Sequence, residues 1–109
     1  MIKKELFSDD LQKLSAIGKI FSHPARLAIL QYLAECKTCI SGDISEYIPL
    51  SRTTVSQHLK ELKESGFIHG EIDGLTINYC LCYDTISEYK QLLDTFFEPI
   101  QTNAISCKC

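Results

Sequence analysis

With 109 residues, 45% of them hydrophobic and 23% charged, the chain is one domain, residues 1–109, and too apolar to stay disordered. No apolar run approaches the roughly 20 residues of a membrane span, and Met1-Ile-Lys-Lys-Glu5 lacks a signal peptide's apolar stretch, so a cytoplasmic protein away from membranes is expected. The net charge of −3 argues against a broadly basic nucleic-acid binder, but three cations lie between Arg52 and Lys63 against one carboxylate, Glu61. A small basic face on an acidic body would bind DNA in a salt-sensitive way.

In chain order, Ser8-Asp9-Asp10 reads as a helix start, with acids at the positive end of the dipole. Leu11, Leu14, Ile17 and Phe21 recur at helical spacing. Pro24 is placed to open a second helix running to about Glu35, with Leu27, Leu30 and Leu33 as its buried stripe. A polar connection, Cys36 to Gly42, leads to a short third helix over about Gly42 to Tyr47, which Pro49 stops. Ser51 then caps a helix whose apolar stripe is Val55, Leu59 and Leu62, and Gly66 ends it. Thr53, Gln57, Lys60 and Glu64 point away from that stripe, with Thr54 and Ser56 on its flanks. This face carries compact donors and acceptors and no carboxylate before Glu61, as a surface approaching base edges requires. Two helices joined by so short a turn predict a helix-turn-helix.

After Gly66 the period changes to two, and a hairpin turning at Asp73-Gly74 is expected, pairing Ile72 with Leu75 and Ile68 with Tyr79. Residues 68, 70 and 72 then share a face with 75, 77, 79 and 81, while Phe67, His69 and Cys80 take the other. Such a hairpin is a wing. Asp84 can start a last helix carrying Ile86, Tyr89, Leu92, Phe96 and Phe97, which Pro99 ends or bends. That aromatic surface is hard to bury in a small monomer; pairing with a second copy competes with packing on its own domain. The fold class is therefore mainly α with a β-hairpin wing, in the order α-α-α-α-β-β-α.

This order of elements, with His23-Pro-Ala-Arg26-Leu-Ala-Ile-Leu30 and Ser51-x-x-Thr54-Val-Ser-Gln-His58-Leu-Lys60, resembles the ArsR/SmtB family of winged-helix repressors. The core spans about residues 9–98, and residues 99–109 form a cysteine-containing tail. The resemblance implies a homodimer through the first and last helices, without enzymatic activity or an obligatory cofactor. It would occupy double-stranded operator DNA and leave it when a sensor site is filled. Beside the capping Ser51, the residues Thr53, Thr54, Ser56 and Gln57 would touch bases or phosphates, and Arg52 and Lys60 phosphates. His58 lies nearer the apolar stripe, where packing or a satisfied hydrogen bond is expected. At the wing tip, Glu71 and Asp73 would repel phosphates.

Six cysteines fall into three close pairs, Cys36/Cys39, Cys80/Cys82 and Cys107/Cys109, which without a secretory signal suggests metal or redox chemistry. Family members that sense arsenite, cadmium or lead carry Cys-x-Cys before the recognition helix. Here that place reads Cys39-Ile40-Ser41, and a serine does not replace a thiolate on a soft ion. Cys36 can supply a second sulfur and Cys107 or Cys109 a third, so As(III) is the expected inducer. The zinc site of other members is absent, since no histidine lies between Asp84 and Pro99. Cys80, Cys82 and His69 make a further possible metal group, with small, partly buried strand residues the preferred reading. A dithiol switch joining Cys36 or Cys39 to Cys107 or Cys109, responsive to oxidant or persulfide, is the second sensing class. Two other classes compete. Cys36-Lys-Thr-Cys39 has redox-motif spacing, but no upstream strand supports a thiol oxidoreductase. A winged-helix interaction module without DNA binding would fit the acidic charge.

Overall fold

The computed structural model describes residues 6–36, 40–41, 44–73 and 76–103. Its elements are α1 (Asp9–Phe21), α2 (Pro24–Cys36), β1 (Ile40–Ser41), a single 3-10 turn (Ile44–Glu46), α3 (Arg52–Glu64), β2 (Ile68–Asp73), β3 (Thr76–Leu81) and α4 (Tyr83–Thr102). The sheet is antiparallel in the order β1-β3-β2. Four helices and the β2–β3 wing give the expected winged helix-turn-helix.

Helix starts follow local chemistry. Ser8 caps α1 by accepting from the Leu11 N–H at 3.2 Å, and Asp9 and Asp10 occupy its first turn. Ser51 does the same for α3, accepting from the Thr54 N–H at 3.2 Å. At its far end, Gly66 takes φ +87°, the Phe67 N–H reaches the Leu62 carbonyl and the Gly66 N–H that of Lys63. This double closure requires the left-handed conformation that glycine adopts without strain. The Tyr89 hydroxyl donates to the Ser65 carbonyl at 2.6 Å, tying α4 to the same turn.

The core joins Ile17 and Ile20 of α1, Ile29 and Leu33 of α2, Ile44 of the turn and Ile48 after it, Val55, Leu59 and Leu62 of α3, and Phe67 with Ile68. On α2 the buried stripe differs from the expected one: Ile29 and Leu33 are buried, whereas Leu27 is exposed and Leu30 half-buried. Positions 27 to 30 are all apolar, so periodicity could not choose the face; the partners of Arg26, described below, orient it. On α1, Ile20 enters the core while Leu11 and Phe21 stay exposed.

Three further expectations are corrected. The helix over Gly42 to Tyr47 is only the Ile44–Glu46 turn, closed by the Tyr47 N–H on the Ile44 carbonyl, and β1 lies in the supposed connection before it. The hairpin pairs Ile68 with Leu81 and Ile72 with Ile77, two residues from the expected register. A slip of two leaves each residue on its expected face. Helix α4 begins at Tyr83 and runs through Pro99 to Thr102. Pro99 lacks the N–H that would reach the Thr95 carbonyl, yet the helix runs on past it, and the Thr102 hydroxyl donates to the Glu98 carbonyl at 2.9 Å.

Candidate nucleic-acid interface and cysteine sites

Helix α3 presents its polar face as the sequence required. Ser51, Arg52, Thr53, Thr54, Ser56, Gln57 and Lys60 are all exposed, while Val55, Leu59 and Leu62 hold the opposite stripe in the core. The structure thus brings the seven candidate contact residues onto one surface. Three of them make hydrogen bonds within the helix: the Ser51 hydroxyl donates to Thr54 Oγ1 at 2.9 Å, and Gln57 Nε2 donates to Glu61 Oε1 at 3.2 Å.

Glu61, the only carboxylate between Arg52 and Lys63, is itself neutralised. Arg26 of α2 forms an ion pair with its Oε2, donates from Nε to His58 Nδ1 at 3.3 Å, and donates from Nη1 to the Lys19 carbonyl at 2.8 Å. The Gln57 hydrogen bond, followed by the Arg26 charge, holds the Glu61 carboxyl below its ordinary value against the opposing effect of burial. Arg26 is buried, and a buried guanidinium needs this full set of partners. One side chain therefore connects α1, α2 and α3. His58 has the satisfied hydrogen bond expected of it, with its ring 5.4 Å from that of His23. Sequence reasoning quoted Arg26 within a motif but missed this role; a lone arginine in an otherwise apolar helical run was the available signal.

The cysteine sites are less uniform. Cys36 ends α2 as a half-buried free thiol beside Tyr32. Burial, together with the hydrogen bonds and charges of Cys36 and Tyr47, pushes the Tyr32 phenol up to about 12; its ring stacks on that of Tyr47 at 5.0 Å. Cys39, Cys107 and Cys109 lie outside the described residues. Cys82 is a free thiol 3.2 Å from His69 Nδ1, and burial pushes its pKa up, away from the thiolate a metal wants. Cys80 is not the outward ligand considered above. It is buried in the sheet and disulfide-bonded, and a disulfide sulfur is no thiolate ligand. Phe67, expected outside with it, is also buried, with its ring 5.7 Å from Phe21 and 5.0 Å from Tyr89. The ends of α1 and α4 cover that face. Among the described residues no group of three or more His, Cys, Asp or Glu side chains is placed to hold a metal.

The sequence profile described as "Bacterial regulatory protein, arsR family" matches residues 23–69. Over 98 residues the chain is 31% identical to an "Arsenical resistance operon repressor" of Staphylococcus xylosus, covering 90% of this chain and 89% of that protein. The chain belongs to the arsR family. Members of this family are DNA-binding transcriptional regulators, not enzymes, and the matched segment runs from the start of α2 to the wing. Among solved structures, HlyU from Vibrio cholerae is 25% identical, with a TM-score of 0.64 and coverage of 84% of this chain and 98% of that one. The homodimeric winged helix-turn-helix domain of Mb0332 from Mycobacterium bovis is 22% identical, with a TM-score of 0.63 and coverage of 90% and 88%, a likeness of fold. Among the described residues of this arsR-family regulator, no helix is long and apolar enough to cross a membrane.

Proposed function

We propose that this regulator is a cytoplasmic homodimeric repressor whose α3 helices enter the major grooves of double-stranded operator DNA, and that arsenite releases it. The observation that carries the DNA half is the α3 face: seven exposed donors and cations, with its one early carboxylate paired to Arg26. Arg52 and Lys60 serve as phosphate contacts, and Thr53, Thr54, Ser56 and Gln57 as base or phosphate contacts, oriented by the Ser51 cap. The dimer reading is supported by α4, where Phe96, Phe97 and Ile100 are 40%, 49% and 53% exposed at the end beyond the domain core. The homodimeric Mb0332 fold supports the same assembly.

For the inducer, the support is the similarity to an arsenical resistance operon repressor and the thiol chemistry of the chain. Three thiolates suit As(III), and Cys36 is a free thiol at the end of α2. Cys39 would complete the pair and Cys107 or Cys109 the third ligand, with no cofactor needed in the DNA-bound form. The second reading, a thiol-based redox regulator, is favoured by one observation, the disulfide at Cys80.

The experiment is fluorescence anisotropy of the chain's own upstream DNA under strong reductant, with arsenite titrated in. Binding at low salt followed by release supports the reading. Release only when oxidant or persulfide is supplied would transfer the function to the redox class. No binding at low salt would leave an interaction module.

A further inference from the structure

Among the exposed side chains of α3, Gln57 differs from the hydroxyls and cations in carrying its acceptor, Oε1, and its donor, Nε2, on separate atoms. A free carboxamide can turn either atom toward DNA, and the two orientations suit different bases. Here the choice is made within the helix. Nε2 donates to Glu61 Oε1 at 3.2 Å, one turn further on. An ionised carboxylate accepts and cannot donate, so Glu61 binds the nitrogen and excludes the oxygen. The nitrogen keeps a second N–H, which leaves an outward edge made of that N–H and the Oε1 acceptor.

Glu61 is itself held. Its Oε2 is ion-paired with Arg26, whose side chain is 10% exposed against 30% for Glu61. The Arg26 guanidinium is fixed in turn by the Lys19 carbonyl at 2.8 Å and by His58 Nδ1 at 3.3 Å. A continuous line of contacts therefore runs from the backbone of α1 through Arg26 and Glu61 to the carboxamide on the α3 face. The Gln57 hydrogen bond and the Arg26 charge keep Glu61 ionised at neutral pH, and so an acceptor only.

We propose that Glu61 is a positioning residue that fixes the orientation of the Gln57 carboxamide, so that α3 reads an adenine in the major groove of each half-site. The inference rests on α3 being the groove helix. Adenine presents an acceptor, N7, beside the donor amino group on N6, the complement of an N–H beside an oxygen. Guanine presents two acceptors, N7 and O6, and would set O6 against Oε1. Cytosine offers its amino donor without the acceptor, and thymine an acceptor beside a methyl group. Adenine alone satisfies both atoms of the held edge. A carboxamide already held also gives up less side-chain freedom on binding than a free one.

Glu61→Gln reverses the logic. Arg26 takes the oxygen of the introduced carboxamide, whose nitrogen then faces Gln57. The Gln57 oxygen turns inward to accept from it, and two N–H groups face the groove, the complement of guanine's two acceptors. The experiment selects duplexes from a randomised pool with the full chain, its Gln57→Ala variant and its Glu61→Gln variant, at one salt concentration. The wild type should enrich adenine over guanine at least about tenfold at one position of each half-site. Gln57→Ala should lose the preference at that position alone, and Glu61→Gln should move it to guanine with the other positions unchanged. Two measurements need no variant to fold. Replacing that adenine by 7-deazaadenine, which lacks N7, or by purine, which lacks the amino group, should each weaken wild-type binding about fivefold. In the free wild-type chain, NMR relaxation of the Gln57 side-chain amide should show restricted motion, and a freely averaging amide overturns the positioning. The inference is also overturned if no position depends on Gln57, if that position prefers another base, or if Glu61→Gln keeps adenine. In each of those cases, selection by the wild type leaves the α3 reading standing. A wild type that enriches no sequence overturns both.

Discussion

Helices α3 and α4 are both amphipathic, yet they finish their burial differently. α3 sinks Val55, Leu59 and Leu62 into the core of its own chain, and none of the residues of α4 is buried. Ile86, Tyr89 and Leu92 in the first half of α4 pack on the core at partial exposure, whereas Phe96, Phe97 and Ile100 project beyond it. α3 is a finished element that leaves only polar chemistry outside. α4 is unfinished in one copy, and a second copy supplies the missing half on the proposed reading. Apolar periodicity alone does not separate the two; what differs is whether the stripe finds its partners within its own chain.

The largest effect that would break this contrast is Leu62→Ala. Leu62 has no exposed surface, so truncation should cost about 3–5 kcal/mol of unfolding free energy, measured by urea denaturation. Phe97→Ala, at half exposure, should cost far less per folded chain but shift sedimentation from a dimer toward a monomer at micromolar concentration. Equal stability losses for the two variants, with no change in mass, would erase the distinction. Gly66→Ala comes next. It forces φ +87° on an alanine and puts a Cβ 3.2 Å from Thr85 Cγ2, for a loss of about 1–2 kcal/mol. Ser51→Ala removes the α3 cap and should lower stability by about 1 kcal/mol, with a matching loss of helicity by circular dichroism.

The smallest effect is on pH dependence. The folded state holds Glu61 below its ordinary 4.5, so its contribution is complete above that value and fades as pH falls through the lower folded-state pKa. Glu61→Gln should therefore flatten the acid limb of a stability-against-pH curve and leave its neutral region nearly level. A variant curve parallel to the wild type throughout would show that the Arg26–Glu61 pair contributes nothing there.

Much of the site was legible because it depends on local chemistry. The Ser51 cap, the Val55-Leu59-Leu62 stripe and the Gly66 stop are read from nearest neighbours along one helix, and they placed its buried and exposed faces correctly. Features that depend on which distant residues meet were not legible. The α2 stripe was ambiguous because apolar residues surround the helix, and the partners of Arg26 sit on two other elements. The hairpin register slipped by two because alternation fixes a face but not a pairing; the turn decides the pairing. Cys80 was read as outward because the face it shares with His69 was taken for solvent. No pattern of two or 3.6 announces that Phe21 and Tyr89 cover Phe67 at its edge.

The central claim is that the α3 face reads operator DNA, and Thr53→Ala/Gln57→Ala tests it most directly. Both side chains are exposed and outside the core, so the fold should survive, as thermal denaturation can verify. Anisotropy titrations with the upstream DNA and with an unrelated duplex, each at several salt concentrations, separate base reading from charge attraction. The account predicts that the double variant loses at least tenfold in affinity for the upstream DNA and keeps its weak, salt-dependent binding to the unrelated duplex. Unchanged preference for the upstream DNA in a folded double variant would contradict it.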